Sequence, residues 1–259
     1  MNITFLGTAT SHGLPYIGCD CAVCTSADPH NKRLRCSIIV EDDTAETRLL
    51  VDTTPDLRQQ FLRANISWLS AVLWTHDHND HIIGLDDLRR ITDKQGYLNG
   101  YANEATLEHL YRVFDYAFVP DRNHAGFPRL IAHTLKPLQA FTIGSLEITP
   151  VPIMHGRQEI FAYRFDDGKS TFVYATDCSQ IPDGSWEYMK NADVLVLDAL
   201  RPEPHPTHFC LNQSLDAIEK LQPKEAFLTH FAHEMEYVAI SSGLPQNVHM
   251  ASDMQAIKL

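Results

Sequence analysis

The chain has 259 residues, of which 44% are hydrophobic and 21% are charged, a composition typical of a globular protein with a full-sized core. Its 33 acidic and 21 basic residues give a formal net charge of −12, which argues against nonspecific binding of nucleic acid through many phosphate contacts. No run of about 18 apolar residues is present, so a helical membrane span is excluded.

The start of the sequence lacks the features of a secretory signal. No basic segment precedes the first apolar residues, and Gly7 interrupts them early, so we expect no signal peptide and a cytoplasmic location. No linker-like, low-complexity or repeated segment divides the chain. We therefore expect residues 1–259 to form a single domain.

Short aliphatic and β-branched runs predict strands, and apolar residues at helical spacing predict helices between them. In chain order the predicted strands are Ile3–Leu6, Ser37–Val40, Arg48–Val51, Ala71–Trp74, Leu146–Val151, Thr171–Ala175, Val194–Leu197 and Ala226–Leu228. The predicted helices are Pro55–Ala64, Glu104–Phe118 and Asn212–Leu221. Strands precede helices in both halves, which indicates an α/β architecture with two sheets between outer helix layers.

Three predicted strands end in a side chain that can bind a metal. The strand 71–74 runs into His76, the strand 171–175 into Asp177, and the strand 226–228 into His230. Because strand ends converge at the edges of packed sheets, we expect these side chains to meet.

The segment 75–81 concentrates imidazoles and carboxylates. A buried core would not tolerate this many polar groups without compensation, and a divalent cation supplies it. His76 and His78 can serve one ion, and Asp80 and His81 a second; a solvated polar loop is the alternative. Asp77 and Asn79 alternate with these residues and are expected to brace the loop. The whole predicted set is five histidines and two aspartates: His76, His78, Asp80, His81, His155, Asp177 and His230.

Three of the six cysteines lie close together, as Cys19, Cys21 and Cys24. In a cytosolic chain such a cluster predicts a tetrahedral zinc site before a disulfide, with reduced buried thiols as the alternative. A fourth ligand is needed, and our candidate is His233, three residues after His230. Cys36, Cys178 and Cys210 are expected as small buried residues.

The pattern His-x-His-x-Asp-His, followed by His155, Asp177 and His230, resembles the metallo-β-lactamase-fold hydrolases over nearly the whole chain, together with the opening Phe5-Leu6-Gly7-Thr8-Ala9. The resemblance implies a four-layer αββα sandwich with two mixed sheets between helix layers. It implies that His76, His78 and His155 bind one metal, that Asp80, His81 and His230 bind the second, and that Asp177 bridges them. It also implies that Asp52 orients the histidines.

The cysteine cluster, preceded by Gly13-Leu14-Pro15 and Gly18 and combined with Thr229-His230-Phe231-Ala232-His233, resembles the PhnP-type cyclic phosphate phosphodiesterases. This resemblance implies two catalytic divalent cations (Mn²⁺ or Zn²⁺), one structural Zn²⁺, and possible homodimers. The implied substrate is a small cyclic or diester phosphate, such as 5-phosphoribosyl 1,2-cyclic phosphate. Cys178-Ser179 and the long stretch Ile91–Leu135 depart from the pattern and leave the natural substrate open.

The expected mechanism uses a metal-bridging hydroxide as nucleophile and a histidine as general acid. The predicted catalytic residues are His208, which lies where the PhnP-type enzymes have their proposed acid, and Asp80; His205 is a weaker substitute for His208. No organic cofactor, membrane or nucleic-acid partner is expected. The alternatives are a thioester or lactone hydrolase, a tRNA 3′-processing endonuclease, which would need a basic arm, and a noncatalytic metal-binding scaffold.

His12 lies between the first strand and the cysteine cluster, where it could line the mouth of the pocket; a purely structural role is the alternative. Solvated or packed positions are expected for the histidines without a partner pattern: His30, His109, His124, His133 and His249.

Overall fold

The computed structural model describes residues 1–44, 46–119 and 126–259. Its strands are, in chain order, β1 (Asn2–Gly7), β2 (Ser37–Glu41), β3 (Arg48–Val51), β4 (Ala71–Leu73), β5 (Leu98–Ala102), β6 (Leu130–Thr134), β7 (Phe141–Ile143), β8 (Leu146–His155), β9 (Gln158–Asp166), β10 (Thr171–Ala175), β11 (Val194–Asp198), β12 (Glu225–Thr229), β13 (Val248–Met250) and β14 (Ala256–Lys258).

The α-helices are α1 (Ala22–Thr25), α2 (Leu57–Ala64), α3 (Asn79–Ile82), α4 (Arg89–Gln95), α5 (Glu104–Val113), α6 (Trp186–Met189), α7 (Leu211–Leu221) and α8 (Tyr237–Ser241). Short 3₁₀ helices occupy Pro29–Asn31, Ile83–Leu88, Asp115–Ala117 and Asp183–Ser185. No helix within the described ranges is long and apolar enough to cross a lipid bilayer.

The strands form two seven-stranded sheets with the orders β14-β1-β2-β3-β4-β5-β6 and β13-β12-β11-β10-β9-β8-β7. In the first sheet, β14, β1, β2 and β3 pair antiparallel, and β3 to β6 pair in parallel. In the second, β10 to β13 are parallel and β7 to β10 are antiparallel. Both sheets are therefore mixed, and the predicted α/β sandwich fold is confirmed.

Large aromatic and aliphatic side chains fill the space between the two sheets. One buried cluster takes Phe5 and Ile38 from the first sheet and Phe161, Phe165 and Val196 from the second. Separate clusters bury the outer face of each sheet under its helices. On α7, for example, the buried residues Ser214, Ala217, Ile218 and Leu221 follow the helical period, which explains why this segment is a surface helix.

All eight predicted strands are present, with ends that differ by a few residues. Two predictions need correction. The predicted strand Ala71–Trp74 ends at Leu73, and the predicted helix Glu104–Phe118 ends at Val113, because Phe114 leaves the helical conformation and a 3₁₀ turn follows. The stretch Ile91–Leu135, which is longer than the resemblance leads us to expect, contains β5 and β6 of the first sheet, two strands that the sequence did not predict; its residues 120–125, including His124, lie outside the described residues.

Candidate metal centre

The carboxyl ends of five strands meet at one edge of the sandwich. His76 follows β4, His155 ends β8, Asp177 follows β10, Asp198 ends β11, and His230 follows β12. Asp177 and His230 have φ values of 56° and 65°, which non-glycine residues rarely adopt. The chain thus turns sharply just after each of these two strands, and such uncommon backbone geometry is concentrated at functional sites.

Asp177 lies at the centre of the predicted ligands. Its Oδ1 is 3.2 Å from His230 Nε2 and 4.0 Å from His76 Nε2, and its Oδ2 is 3.3 Å from His81 Nε2. Asp80 Oδ2 is 3.2 Å from His81 Nε2 and 3.9 Å from His230 Nε2. Asp177 therefore contacts histidines of both predicted metal positions.

The ligand atoms form two compact groups. In the first, one donor atom from each of His76, His78 and His155 lies within 4.8 Å of the others. In the second, the same holds for Asp80, His81, Asp177 and His230. The structure thus brings together all seven residues of the predicted dinuclear site, in the two groups expected from the sequence.

The unpaired ring nitrogens of the site fit a bound cation. His76 Nε2, His81 Nε2 and His230 Nε2 are buried and form no hydrogen bond among the described residues. Leaving three such atoms without a partner would be costly unless a cation binds them. The residues present therefore fit divalent metal ions.

The opposite ring nitrogens are held by the protein. His81 Nδ1 is 2.8 Å from Asp52 Oδ2, and His155 Nδ1 is 2.7 Å from the carbonyl oxygen of Thr207. Such contacts fix the tautomer and the orientation of a metal-binding imidazole. Asp52 is fully buried and also accepts hydrogen bonds from the Thr75 backbone N–H and hydroxyl, so it fixes the start of the histidine segment.

The charge states suit metal ligands. Burial opposes ionisation of Asp177, but the neighbouring His230 and His81 hold its pKa well below the usual value. Burial lowers the pKa of His155 to about 4 and that of His76 well below its usual value. At neutral pH the carboxylate is therefore ionised and these two imidazoles are neutral, which is the form that binds a cation.

His208 faces this ligand group from the loop before α7. Its ring stacks on His230 with centroids 4.7 Å apart, and one ring nitrogen lies within 4.8 Å of donor atoms of His155 and Asp177. Its Nδ1 is 2.7 Å from Oδ2 of Asp198, a fully buried carboxylate. Burial lowers the pKa of His208. His205 is more exposed, and its ring centroid is 5.2 Å from that of His208.

Asp198 was missed in the sequence. The signal was available, because the predicted strand 194–197 runs directly into this residue, just as other strands run into the predicted ligands. The aliphatic residues around Asp198 in the sequence do not indicate which side chain it contacts, because only the fold brings His208 to it.

The cysteine cluster and His233 form a second centre. His233 Nδ1 lies 3.4 Å from Cys19 Sγ, 3.6 Å from Cys21 Sγ and 3.7 Å from Cys24 Sγ. A tetrahedral zinc ion with Zn–S of about 2.3 Å and Zn–N of about 2.0–2.1 Å places sulfur and nitrogen about 3.5 Å apart. A backbone hydrogen bond from Cys24 lowers the pKa of Cys21 to about 7, which favours the thiolate. These four residues therefore fit a structural zinc ion.

Most of the other singled-out residues lie outside both centres. Asp77 accepts a hydrogen bond from Gln158, and His109 lies 3.4 Å from its carboxylate, which is consistent with bracing of the loop. His12 is exposed, and its ring packs on Tyr16. Cys36, Cys178 and Cys210 are buried. The remaining described histidines contact surface partners: His30 with Asp28, His133 with Asn99, and His249 with Glu225.

Comparison with known proteins gives one family and several relatives. Residues 47–231 match the family described as Beta-lactamase superfamily domain. An octanoyltransferase of Porphyromonas gingivalis is 36% identical over 98% of this chain, and the chain spans only 50% of the length of that relative.

Two solved structures share the fold over the whole chain. The crystal structure of a new diphosphatase from the PhnP family is 40% identical, with a TM-score of 0.90 over 99% of this chain and 96% of that one. Zn²⁺-bound PqqB from Methylobacterium extorquens superposes over 100% of both chains with a TM-score of 0.84. At 20% identity, the second likeness shows the fold alone.

Proposed function

This chain belongs to the β-lactamase superfamily and is a metal-dependent hydrolase resembling the PhnP family, and we propose that it hydrolyses a phosphodiester or diphosphate bond in a small anionic molecule. The named activity of the solved relative, a diphosphatase, supports a phosphoryl substrate. The cyclic and diester phosphates expected from the sequence, including 5-phosphoribosyl 1,2-cyclic phosphate, would react at the same phosphoryl group.

Two divalent cations, Mn²⁺ or Zn²⁺, would be held by His76, His78 and His155 on one side and by Asp80, His81 and His230 on the other, with Asp177 between them. When bound, such cations polarise a phosphoryl oxygen and lower the pKa of a water molecule. A third ion, a structural Zn²⁺, would be held by the three clustered cysteines and His233.

Two side chains would assist the reaction. Asp80 is ionised, because the neighbouring His81 holds its pKa far below the usual value against the effect of burial, and its carboxylate can bind a cation and accept a hydrogen bond from the attacking water. His208 would give a proton to the departing oxygen. Its Nδ1 is engaged by Asp198, so Nε2 is the atom that holds the transferable proton. Burial lowers the pKa of His208, which makes its protonated ring a stronger acid.

The single observation that carries this proposal is the Asp198–His208 pair beside the ligand cluster. An alkoxide is a poor leaving group unless it is protonated as the bond breaks. A thiolate, with a parent thiol pKa of about 8.5, leaves without such help. A histidine held by a buried carboxylate at this position therefore favours a substrate whose leaving atom is oxygen.

The test compares two aryl diesters with wild-type protein and His208→Ala, both loaded with Mn²⁺ or Zn²⁺. Bis(p-nitrophenyl) phosphate releases a weakly basic phenolate, and diphenyl phosphate releases a more basic one. We expect His208→Ala to lower kcat about 10²–10⁴-fold for diphenyl phosphate and much less for the nitrophenyl ester. His205→Ala is the control and should retain most of the activity on both. Absence of hydrolysis of either ester, or of any cyclic or diphosphate substrate, by metal-loaded wild-type protein would refute the proposal.

One observation favours a second candidate, the hydrolysis of an acyl thioester. The relative from Porphyromonas gingivalis is named for octanoyl transfer, although this chain matches only half of its length. The same metal ligands could activate water for acyl transfer. Turnover of an octanoyl thioester of N-acetylcysteamine above that of every phosphodiester, with no effect of His208→Ala, would favour this candidate.

The proposal also covers the location, the partner and the oligomeric state of the enzyme. We place it in the cytoplasm, where the clustered thiols stay reduced and available to zinc. Its partner would be a small phosphoester rather than a nucleic acid, in keeping with the net charge of −12. A homodimer is compatible with this activity and is part of the proposal.

A further inference from the structure

A tight turn follows the predicted metal ligand His155. β8 ends at His155 and β9 begins at Gln158, so a two-residue turn that starts at Gly156 joins them. Gly156 has a φ of 63°, and a Cβ there would lie 2.8 Å from Cγ2 of Thr207. The turn therefore packs closely against the loop that precedes α7.

The Ser179 hydroxyl spans this turn on both sides of His155. Its Oγ donates to the carbonyl oxygen of Met154 over 2.9 Å and accepts from the Gly156 N–H over 2.8 Å. One hydroxyl thus fixes the backbone before and after the ligand. The ring is fixed separately, because His155 Nδ1 lies 2.7 Å from the carbonyl oxygen of Thr207.

Ser179 also belongs to the segment that carries Asp177, here called the clamp segment (residues 177–179). Within it, the Cys178 carbonyl oxygen accepts a hydrogen bond from the Phe209 N–H. Phe209 directly follows the proposed acid in the chain. The clamp segment therefore connects the predicted bridging carboxylate to the turn after β8 and to the loop of the proposed acid.

The backbone hydrogen bonds beside this hydroxyl determine what its removal would leave. The Ser179 N–H donates to the Met154 carbonyl oxygen over 2.7 Å, and the Met154 N–H donates to the Gln180 carbonyl oxygen over 2.9 Å. Both are kept in Ser179→Ala, so the turn stays attached to the clamp segment. The Gly156 N–H loses its acceptor, so the position of His155 becomes less restricted.

We propose that Ser179 is a positioning residue, whose hydroxyl holds His155 in place relative to Asp177 for binding of the ion shared with His76 and His78, here called the first ion. This inference rests on the proposed metal centre, and it assigns a role to a position where the sequence departs from the PhnP-type pattern. Groups that orient a metal ligand without touching the ion change metal affinity about 10–100-fold. Ser179 would therefore act on occupancy by the first ion.

The experiment dialyses metal-loaded protein against zinc buffers of graded free Zn²⁺ and measures the bound metal by mass spectrometry. We expect the affinity of Ser179→Ala for one ion to fall about 10–100-fold, with the other two ions held as in the wild-type protein. Ser179→Thr keeps the hydroxyl and should keep the wild-type affinities.

A ligand variant identifies the ion that is affected. His78→Ala removes a ligand of the first ion only, so it should lose the same ion that Ser179→Ala weakens. The double variant should then hold its remaining ions as His78→Ala does, because both changes act on one ion.

Turnover gives a second readout that a general loss of stability would not produce. With bis(p-nitrophenyl) phosphate, the Mn²⁺ concentration for half-maximal activity should rise about 10–100-fold in Ser179→Ala. The kcat at saturating Mn²⁺ should stay close to that of the wild-type protein.

Ser185→Ala is the matched control. The Ser185 hydroxyl is buried and donates to the Pro152 carbonyl oxygen over 2.6 Å, on the same strand as His155 and three residues before it. Ser185 lies outside the clamp segment, so its variant loses a hydrogen bond to β8 and should keep all metal affinities.

The outcomes separate the inference from the proposed function. Unchanged affinities in Ser179→Ala would overturn the inference, and so would an equal loss in Ser185→Ala, because the effect would then be a general loosening of β8. A Ser179→Ala protein that unfolds, or that loses all its ions together, would indicate a structural role and would also overturn it. Absence of phosphodiester hydrolysis by the wild-type protein would count against the proposed function alone, since the metal affinities are measured without turnover.

Discussion

Asp198 shows how one buried carboxylate can serve two imidazoles. Its Oδ2 is 2.7 Å from His208 Nδ1, and its Oδ1 is 3.9 Å from His230 Nδ1. Neither Asp198 Oδ1 nor His230 Nδ1 has a hydrogen-bond partner among the described residues. A small movement would join these two atoms, so Asp198 is placed to orient the proposed acid and a proposed metal ligand together.

Replacing Asp198 with asparagine keeps the size of the side chain but removes its acidic group, whose pKa burial raises well above the usual value. The carboxyl oxygen that lies 2.7 Å from His208 Nδ1 is then lost, so we expect kcat for diphenyl phosphate to fall about 10²-fold or more, and less for bis(p-nitrophenyl) phosphate. Metal content, measured by mass spectrometry, should stay the same. Asp216→Asn, on the adjacent helix α7, is the control. If Asp198→Asn loses a metal ion, its main role is to hold His230 rather than His208.

Asp253 gives a pH prediction at the same scale. Its carboxylate is buried and accepts hydrogen bonds from the Leu34 N–H and the Thr8 hydroxyl, and burial raises its pKa from 3.8 to about 6. The folded protein then binds more protons than the unfolded chain between about pH 4 and pH 6, so this group lowers stability as pH rises through that range. The difference between the two pKa values corresponds to about 3 kcal/mol.

Asp253→Asn is neutral at every pH and should lack this effect. We expect the free energy of unfolding of the wild-type protein, relative to the variant, to fall by about 2 kcal/mol between pH 4 and pH 7, since part of the full difference is already lost at pH 4. Urea unfolding at both pH values measures it. Asp183→Asn, at an exposed carboxylate, should track the wild-type protein. Identical pH dependence in the wild-type protein and Asp253→Asn would show that Asp253 ionises normally.

At the scale of elements, the local sequence pattern predicted the strands that consist of continuous aliphatic runs. It did not predict strands that form because they pair with a neighbouring strand. β5 contains Asn99 and Gly100, and β6 contains Ala132 and His133, so neither is a continuous aliphatic or β-branched run. They are strands because they extend a parallel sheet beside β4. Gly100 shows the tertiary constraint, since a Cβ there would lie 2.5 Å from Cζ3 of Trp74. No local pattern reports such a contact.

The segment that follows the histidines depends on one close backbone approach. A Cβ at Gly84 would lie 1.9 Å from the carbonyl oxygen of Thr54, and the Gly84 N–H donates to the Thr53 carbonyl oxygen over 3.0 Å. Asp52, which precedes Thr53 in the chain, holds His81. A methyl group added at Gly84 must therefore push the turn at Thr53 and Thr54 away from the site.

We therefore expect Gly84→Ala to cost about 3 kcal/mol or more and to lower Tm by about 10 °C. Differential scanning calorimetry measures the change, and metal content reports whether His81 remains in place. Gly184→Ala is the matched control, because Gly184 has open space around its Cβ position and no positive φ. Equal Tm values for the two variants would mean that the Thr54 turn yields at little cost.

At the scale of the whole molecule, both metal centres join the two halves of the chain. His76, Asp80 and His81 belong to the half that forms the first sheet, whereas Asp177 and His230 belong to the second. The zinc cluster repeats this arrangement, with cysteines near β1 and His233 after β12. Together with the shared core between the sheets, this supports our proposal that residues 1–259 form one domain. The sequence singled out the residues that the fold brings together because their types and order are distinctive, but their distances depend on how the sheets pack.

The last prediction follows from ligands shared between the halves. A metal that binds only the folded chain stabilises it by mass action, so chelation should lower Tm and should not split unfolding into two transitions.

We expect about three metal ions per purified chain, loss of activity in Asp177→Ala, and loss of a single zinc ion in Cys21→Ala. Cys210→Ala, at a buried cysteine outside the cluster, should keep all three. Mass spectrometry and calorimetry give both readouts from the same samples. Two metal ions per chain, unchanged in Cys21→Ala, would mean that the cysteine cluster stays a group of free thiols, and two separate transitions would mean that the sheets fold independently.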